Sequence, residues 1–299
     1  MHTRRALLVD AFAAEPLAGN AAGVVPEADG LSEAQMQAVA RELAVSETAF
    51  LLSSTDADRR LRYFSPTQEV DLCGHATIAA HAHCHESGAI DAGETTVETN
   101  VGVLDVEIEG DGTVWMEQSR PTVERVAPEY DRLGEALGID PAALRDVGAD
   151  APVAVASTGL PFLLVPVNFL ENLSGASPDA GAVEALAEAY DAAGVYAFTF
   201  DTLEGDATLH ARAFVPSLGI PEDPVTGTAA GACGAYLREV GAFDDFPEEM
   251  VFEQGHFLDR PGRIRVEAST AVRVGGRGVT ALDGTLAVPD DEDDDILEA

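Results

Sequence analysis

The chain contains no lysine: all 17 of its basic residues are arginine, set against 53 acidic residues for a net charge of −36. That balance excludes nucleic acid and anionic membrane as partners, because binding phosphate needs clustered positive charge. Such a surface repels itself when salt is scarce, and molar salt shortens the screening length to about 3 Å. The composition therefore points to a protein suited to a salt-rich cytoplasm, with its acid serving solubility. Cysteine is scarce too. Cys73, Cys84 and Cys233 are too few and too scattered for a disulfide framework or a C-x-x-C zinc site, and reduced thiols follow. No apolar run approaches the roughly eighteen residues of a membrane helix, and the start M-H-T-R-R-A-L-L-V-D lacks the apolar core and cleavage site of a signal peptide. A cytoplasmic location is expected. There is no G-x-S-x-G, P-loop or redox C-x-x-C, and G-N-A-A-G at Gly19 and G-G-R-G at Gly275 lack the helix and ribose-binding acid of a dinucleotide site.

What the chain does have is apolar material and an internal repeat. With 299 residues, 46% of them hydrophobic, it is long enough for two domains with a substantial core. R-Y-F-S-P, Arg62 to Pro66, returns 150 residues later as R-A-F-V-P, Arg212 to Pro216. After each comes an acidic residue, Asp71 or Asp223, and then a glycine among small residues: C-G-H-A-T-I-A-A from Cys73 and T-G-T-A-A-G-A from Thr226. Upstream, the A-F of S-E-T-A-F ends 14 residues before Phe64 and the A-F of G-V-Y-A-F ends 16 residues before Phe214, which pairs Glu47 with Val195. The chain reads as two related halves.

Each half places a helix ahead of its R-x-F-x-P strand. Ser32 and Gln35 form a capping box with Leu31 and Met36 as hydrophobic staple, for a helix to about Leu43. In the second half Ser177 is expected to cap, with Pro178 in the first helical position and the helix running to about Asp191. Strands dominate elsewhere: Leu104, Val106 and Ile108 alternate with acids, and Asp111-Gly112 turns that run back into T-V-W-M. The expected architecture is α+β, each half a sheet around a helix or two. Residues 1–120 form the first half, joined by a last strand near 279–288; residues 121–278 form the second, with the linking sequence between Gln118 and Pro152. The segment 289–299 is expected to be an acidic, disordered tail.

A turn of small residues opening a helix presents unpaired backbone N–H groups and the positive end of a dipole, and the repeat supplies two, at Gly74 to Thr77 and Gly227 to Ala230. If the halves pack by pseudo-symmetry, both helix starts face one cleft suited to a small carboxylate. Around it the sequence offers Glu47, His75, Asp71, Asp223 and Thr228. A carboxyl in an apolar setting holds its proton more readily, which suits it to proton transfer, and a histidine nearby holds a hydrogen bond. Racemisation by two thiols needs a cysteine in each half, yet Cys73 is matched by Thr226. One half keeps a candidate base and the other does not, so one-base chemistry is expected. H-A-H-C-H puts His81 and His85 at i, i+4, but no further ligand set accompanies them and no metal is expected.

Taken together, V-D-A-F…G-N-A-A at Val9, S-E-T-A-F at Ser46, R-Y-F-S-P at Arg62, D-L-C-G-H-A-T at Asp71, E-D-P-V-T-G-T-A-A-G at Glu222 and Q-G-H-F-L-D-R-P at Gln254 resemble the phenazine-biosynthesis PhzF-like family over nearly the full chain. The resemblance implies a diaminopimelate-epimerase-like fold: two pseudo-symmetric domains, each a barrel-like, mostly antiparallel sheet around a central helix, with no metal and no organic cofactor. It places the family's catalytic glutamate on Glu47, its site histidine on His75 and its site aspartate on Asp223. Asn20, Gly74 and Gly227 fall in matching loops and Thr228 stands where the family has serine, while Cys73 resembles one thiol of the two-thiol epimerases; with Asp71 beside the cleft, these six are the expected substrate-binding residues.

The expected function is an isomerase in which Glu47 moves a proton, and with it a double bond, in a small carboxylic acid. Two alternatives stand beside it: an amino-acid epimerase or racemase, whose second base would be Cys73 or His75, and a non-catalytic small-molecule binding protein on the same fold. A two-fold homodimer is expected as the commonest assembly.

Overall fold

The computed structural model describes residues 2–147 and 151–290; the acidic tail lies outside the described residues from 291 onward. The described residues form two compact units. One takes the chain up to Leu17, Ala21–Trp115 and the chain from Arg277 onward, and the other takes Ala18–Asn20 and Met116–Gly276. No helix among the described residues is long and apolar enough to cross a membrane.

The first unit holds β1 (His2–Ala11), β2 (Asn20–Val25), α1 (Glu33–Leu43), β3 (Thr48–Leu52), β4 (Arg59–Phe64), β5 (Glu69–Val70), α2 (Gly74–Glu86), β6 (Gly93–Thr99), β7 (Gly102–Ile108) and the start of β8 (Val114–Glu117). The chain's last strand, Gly278–Val288, pairs antiparallel with β1, His2 facing Val288. Pairing is antiparallel for β3–β4, β4–β5 and β6–β7, and parallel for β2–β3 and β4–β6. α1 starts on the capping box of Ser32 and Gln35. It lays Met36, Val39 and Ala40 on Phe50, Phe64 and Val25. α2 is rich in alanine and buried from Ala76 to Cys84, with Thr77, His81 and His83 among the buried residues. It packs against β1, β3, β7 and the last strand.

The second unit repeats the plan. Its elements are β9 (Thr122–Arg125), α3 (Tyr130–Leu137), α4 (Pro141–Arg145), β10 (Ala154–Ser157), β11 (Pro161–Pro166), α5 (Leu170–Ser174), α6 (Ala180–Ala189), β12 (Gly194–Thr199), β13 (Leu209–Val215), β14 (Ile220–Asp223), α7 (Gly227–Val240), β15 (Met250–Gln254), β16 (Gly262–Ala268) and β17 (Val272–Gly276). The parallel pairs β11–β12 and β13–β15 answer β2–β3 and β4–β6, and β9–β10, β10–β11, β12–β13, β13–β14, β15–β16 and β16–β17 are antiparallel. α7, small-residued and buried from Ala229 to Leu237, is the counterpart of α2. Each unit is thus a mostly antiparallel sheet around a central helix, the α+β class expected.

Three sequence expectations need correcting. The helix expected from Ser177 starts at Ala180, capped by Asp179, whose carboxylate accepts from the Ala182 N–H at 2.8 Å. Ser177 is held elsewhere, its N–H bonded to the Leu137 carbonyl. The stretch 118–152, read as linking sequence, carries β9, α3 and α4, whose Leu133, Leu137 and Leu144 are buried in the second unit's core. The repeat is also offset by one residue at Glu47. Phe64 faces Thr48 across β3–β4 and Phe214 faces Val195 across β12–β13, so Val195 answers Thr48 and Gly194 answers Glu47.

The structure also gives the repeated R-x-F its physical meaning. Residues two apart on a strand share a face, and Arg62 lies 5.1 Å over the Phe64 ring while Arg212 lies 5.0 Å over Phe214. Each guanidinium then forks onto the next strand: Arg62 donates twice to Glu69 at 2.7 Å, and Arg212 to Glu222 at 2.8 and 2.7 Å. The residue between points at the central helix. Tyr63 Oη meets Thr77 Oγ1 at 2.6 Å, whereas the second half has Ala213 and Ala230 at the matching positions, losing both hydroxyls together.

α2 carries a titrating group in its interior. His81 is 3% exposed and donates from Nδ1 to the Thr77 carbonyl at 2.8 Å, and burial pushes its imidazole down to about 4. The folded protein keeps this ring neutral while the unfolded chain, titrating near 6.5, takes up a proton. Stability is therefore complete above about pH 6.5 and falls as the pH drops toward 4, by about 2 kcal/mol between pH 7 and pH 5 for this residue. Urea unfolding at both pH values in molar KCl is expected to show the loss, reduced by that share in His81→Leu. An unchanged pH slope in that variant would remove His81 as its source.

Candidate active site

Glu47 stands one residue before β3, where its carbonyl accepts from the Gly23 N–H at 3.0 Å. Side chains alternate along an extended chain, and Thr48 and Phe50 open a strand whose Phe50 faces the α1 core. Glu47 meets the start of α2 instead. Its Oε2 lies 3.4 Å from His75 Nε2, with the two side chains 23% and 13% exposed. The same nitrogen is 3.3 Å from Ser46 Oγ, and His75 Nδ1 is 3.3 Å from Cys73 Sγ. One imidazole therefore links a carboxylate, a hydroxyl and a thiol, which is enough to move a proton or fix the direction of a carboxylate lone pair. Cys73 is the N-cap of α2 and makes no side-chain capping bond, so the first-turn N–H groups have no cap from that residue.

The structure thus brings together Glu47, Cys73 and His75 and adds Ser46, which sequence reasoning passed over although it sits in the quoted S-E-T-A-F. Asp71 is exposed and takes no part in these contacts. Gly74 is open: a Cβ there would meet nothing within 4 Å.

Asp223, Asn20, Gly227 and Thr228 belong to the second unit. Asp223 ends β14, with Oδ1 accepting from Asn20 Nδ2 at 2.9 Å and Oδ2 from the Thr226 hydroxyl at 2.5 Å. Asn20 Nδ2 also donates to the Val225 carbonyl at 2.9 Å. Gln254 closes this network: Nε2 donates to the Asp223 carbonyl at 2.8 Å, and Oε1 accepts from the Thr226 N–H at 3.1 Å. Gln254 was visible only as the first letter of Q-G-H-F-L-D-R-P. Gly227 opens α7, and Thr228 contacts Thr158, whose hydroxyl donates to its carbonyl at 3.0 Å.

Among the described residues, Glu47, Cys73 and His75 form a cluster whose potential metal-ligating atoms lie within 4.8 Å of one another. His81 and His85 are not part of that cluster; their Nδ1 atoms bond the Thr77 and Ile90 carbonyls at 2.8 and 3.2 Å. The position answering Glu47 in the second unit is closed to any side chain: a Cβ on Gly194 would lie 2.4 Å from the Phe214 carbonyl oxygen.

Comparison with known proteins adds a second line of observation. A family model described as phenazine biosynthesis-like protein matches residues 9–284. The uncharacterized isomerase YfhB of Bacillus subtilis is 36% identical over 290 residues, covering 95% of this chain and 96% of its own. The trans-2,3-dihydro-3-hydroxyanthranilate isomerase of Pseudomonas chlororaphis is 31% identical over 94% of this chain and 99% of its own. The crystal structure of a PhzF-family phenazine biosynthesis protein from Bacillus anthracis matches with a TM-score of 0.87 at 32% identity, covering 96% of this chain and all of that one.

Proposed function

The chain belongs to the phenazine biosynthesis-like family, and from that premise we propose that it is an isomerase in which Glu47 shifts a double bond in a small carboxylic acid. The observation that carries this reading is the Glu47–His75 contact of 3.4 Å at the uncapped start of α2. Glu47 takes a proton from a carbon beside an unsaturated system and returns it to another carbon on the same face. His75, tied to Ser46 and Cys73, orients that carboxylate and receives hydrogen bonds or donates them as the charge moves. The free amides of the first turn of α2 suit the substrate carboxylate. The step needs a carboxylate and an imidazole and nothing else. For Asp223, Asn20 and Thr228 the proposal is narrower: they shape the loop at the head of α7 within their own unit.

A second reading has one observation behind it. Cys73 Sγ lies 3.3 Å from His75 Nδ1, so a thiol is available as a second acid for epimerisation. Incubation in deuterated, salt-rich buffer with trans-2,3-dihydro-3-hydroxyanthranilate, the substrate of the Pseudomonas relative, and with a metabolite extract separates the two. Deuterium in a product of altered connectivity supports the isomerase. Deuterium in material of unchanged connectivity and inverted configuration replaces it with the epimerase, and binding without exchange replaces both with a binding protein.

A further inference from the structure

We propose that Glu47, Cys73 and His75 also form a reversible, inhibitory site for a thiophilic divalent cation of the zinc type. The donors are one carboxylate oxygen, one sulfur and one imidazole nitrogen, the three ligand kinds zinc takes, and three protein ligands with one open position is its usual arrangement in accessible sites. Tetrahedral zinc with bonds of about 2.0 to 2.3 Å sets its donors about 3.3 to 3.6 Å apart. His75 Nε2 lies 3.4 Å from Glu47 Oε2 and 3.9 Å from Cys73 Sγ, and the three donors all lie within 4.8 Å of one another. The thiol now leans on Nδ1 at 3.3 Å, so a rotation of the Cys73 side chain toward Nε2 completes the set. Partial exposure of Glu47 and His75 leaves a route in and a fourth position for water.

The start of α2 opposes a cation, since a helix N-terminus carries about half a positive charge. A bound thiolate and carboxylate supply two negative charges, which outweigh it. The other two thiols do not compete: Cys84 and Cys233 are buried, and burial raises the pKa of both, so each stays a thiol. A cation held here engages the Glu47 carboxylate and blocks its turnover. Binding depends on the three donors alone, so it is read without substrate and stands or falls apart from the catalytic role of Glu47.

Cobalt(II) reports the site directly. Metal-free protein is titrated with Co²⁺ at pH 7 in molar potassium nitrate, alongside Cys73→Ser and His75→Gln, with circular dichroism to verify folding. The expected result is a sulfur-to-cobalt charge-transfer band and tetrahedral visible bands that saturate at one equivalent and are displaced by Zn²⁺. Cys73→Ser loses the charge-transfer band, and each variant binds at least about a hundredfold more weakly. No charge-transfer band in the unmutated protein, or an unchanged one in Cys73→Ser, overturns the proposal by assigning the cobalt to surface carboxylates. Should Cys73→Ser fail to fold, wild-type affinity in His75→Gln overturns it equally.

Discussion

Glu47→Gln is expected to lower turnover by about 10²–10⁴-fold while leaving the fold intact. Glutamine matches glutamate in size and keeps an oxygen to face His75 Nε2, now at 3.4 Å. The backbone anchor is untouched, because the Gly23 N–H bonds the carbonyl of residue 47 and not its side chain. What the substitution removes is the ability to take up and return a proton, and no neighbouring group restores it in the same place. His75 is held by Ser46 at Nε2 and by Cys73 at Nδ1. The measurement is product formation and deuterium incorporation from solvent, with circular dichroism in the same salt. Turnover within tenfold of the unmutated protein, in a folded variant, would remove Glu47 from the reaction.

Arg212→Met is expected to destabilise the second unit by about 3–5 kcal/mol, and the matching Arg62→Met the first by only about 1 kcal/mol. The two arginines make the same fork but in different surroundings. Arg212 and Glu222 have side chains 8% and 11% exposed, and Arg212 Nη1 also donates to the carbonyls of Leu173 at 3.1 Å and Ala176 at 3.0 Å. Removing the guanidinium strands a nearly buried carboxylate and takes a donor from two carbonyls, of which Leu173 keeps the Ala176 N–H. Arg62 is 19% exposed, and its second partner, Glu33, is 71% exposed, so water replaces much of what is lost. Urea unfolding in molar KCl, followed by circular dichroism, compares the midpoints. Replacing Glu222 by leucine beside Arg212→Met is expected to recover part of the loss, because the stranded charge goes with it. Equal effects of the two single variants would show that burial of the fork is not what matters.

The repeat made most of this architecture legible in the sequence. R-x-F-x-P and the glycine-small stretch after it are local patterns that mark a strand and a buried helix, and both appear twice with the same neighbours. Pairing was harder to read. Matching the halves on A-F placed Val195 opposite Glu47, but the two hairpins differ in loop length, and only the cross-strand register fixes which residue answers which. A slip of one residue sends a side chain to the other face, and Val195 packs in the outer core with Phe214. The short helices α3 and α4 were hidden by their proline, glycine and charge, since their support comes from burial of a few leucines and not from length. In the candidate site, Glu47, Cys73 and His75 were found by residue type and motif. Ser46 and Gln254 carry no distinctive chemistry, and their roles depend on geometry that no spacing announces.

Gly194 bears on how such a protein changes over generations. A duplicated half begins with equal prospects, and a matching acid in each would leave two candidate bases. Here the backbone of β13 has come so near that even alanine has no room. A carboxylate at that place would clash with the Phe214 carbonyl; the strand would first have to move away, at a cost to the sheet. The asymmetry is consequently a ratchet, and any descendant that gains a second acid must recruit it from a position other than 194, with Cys73 already next to His75.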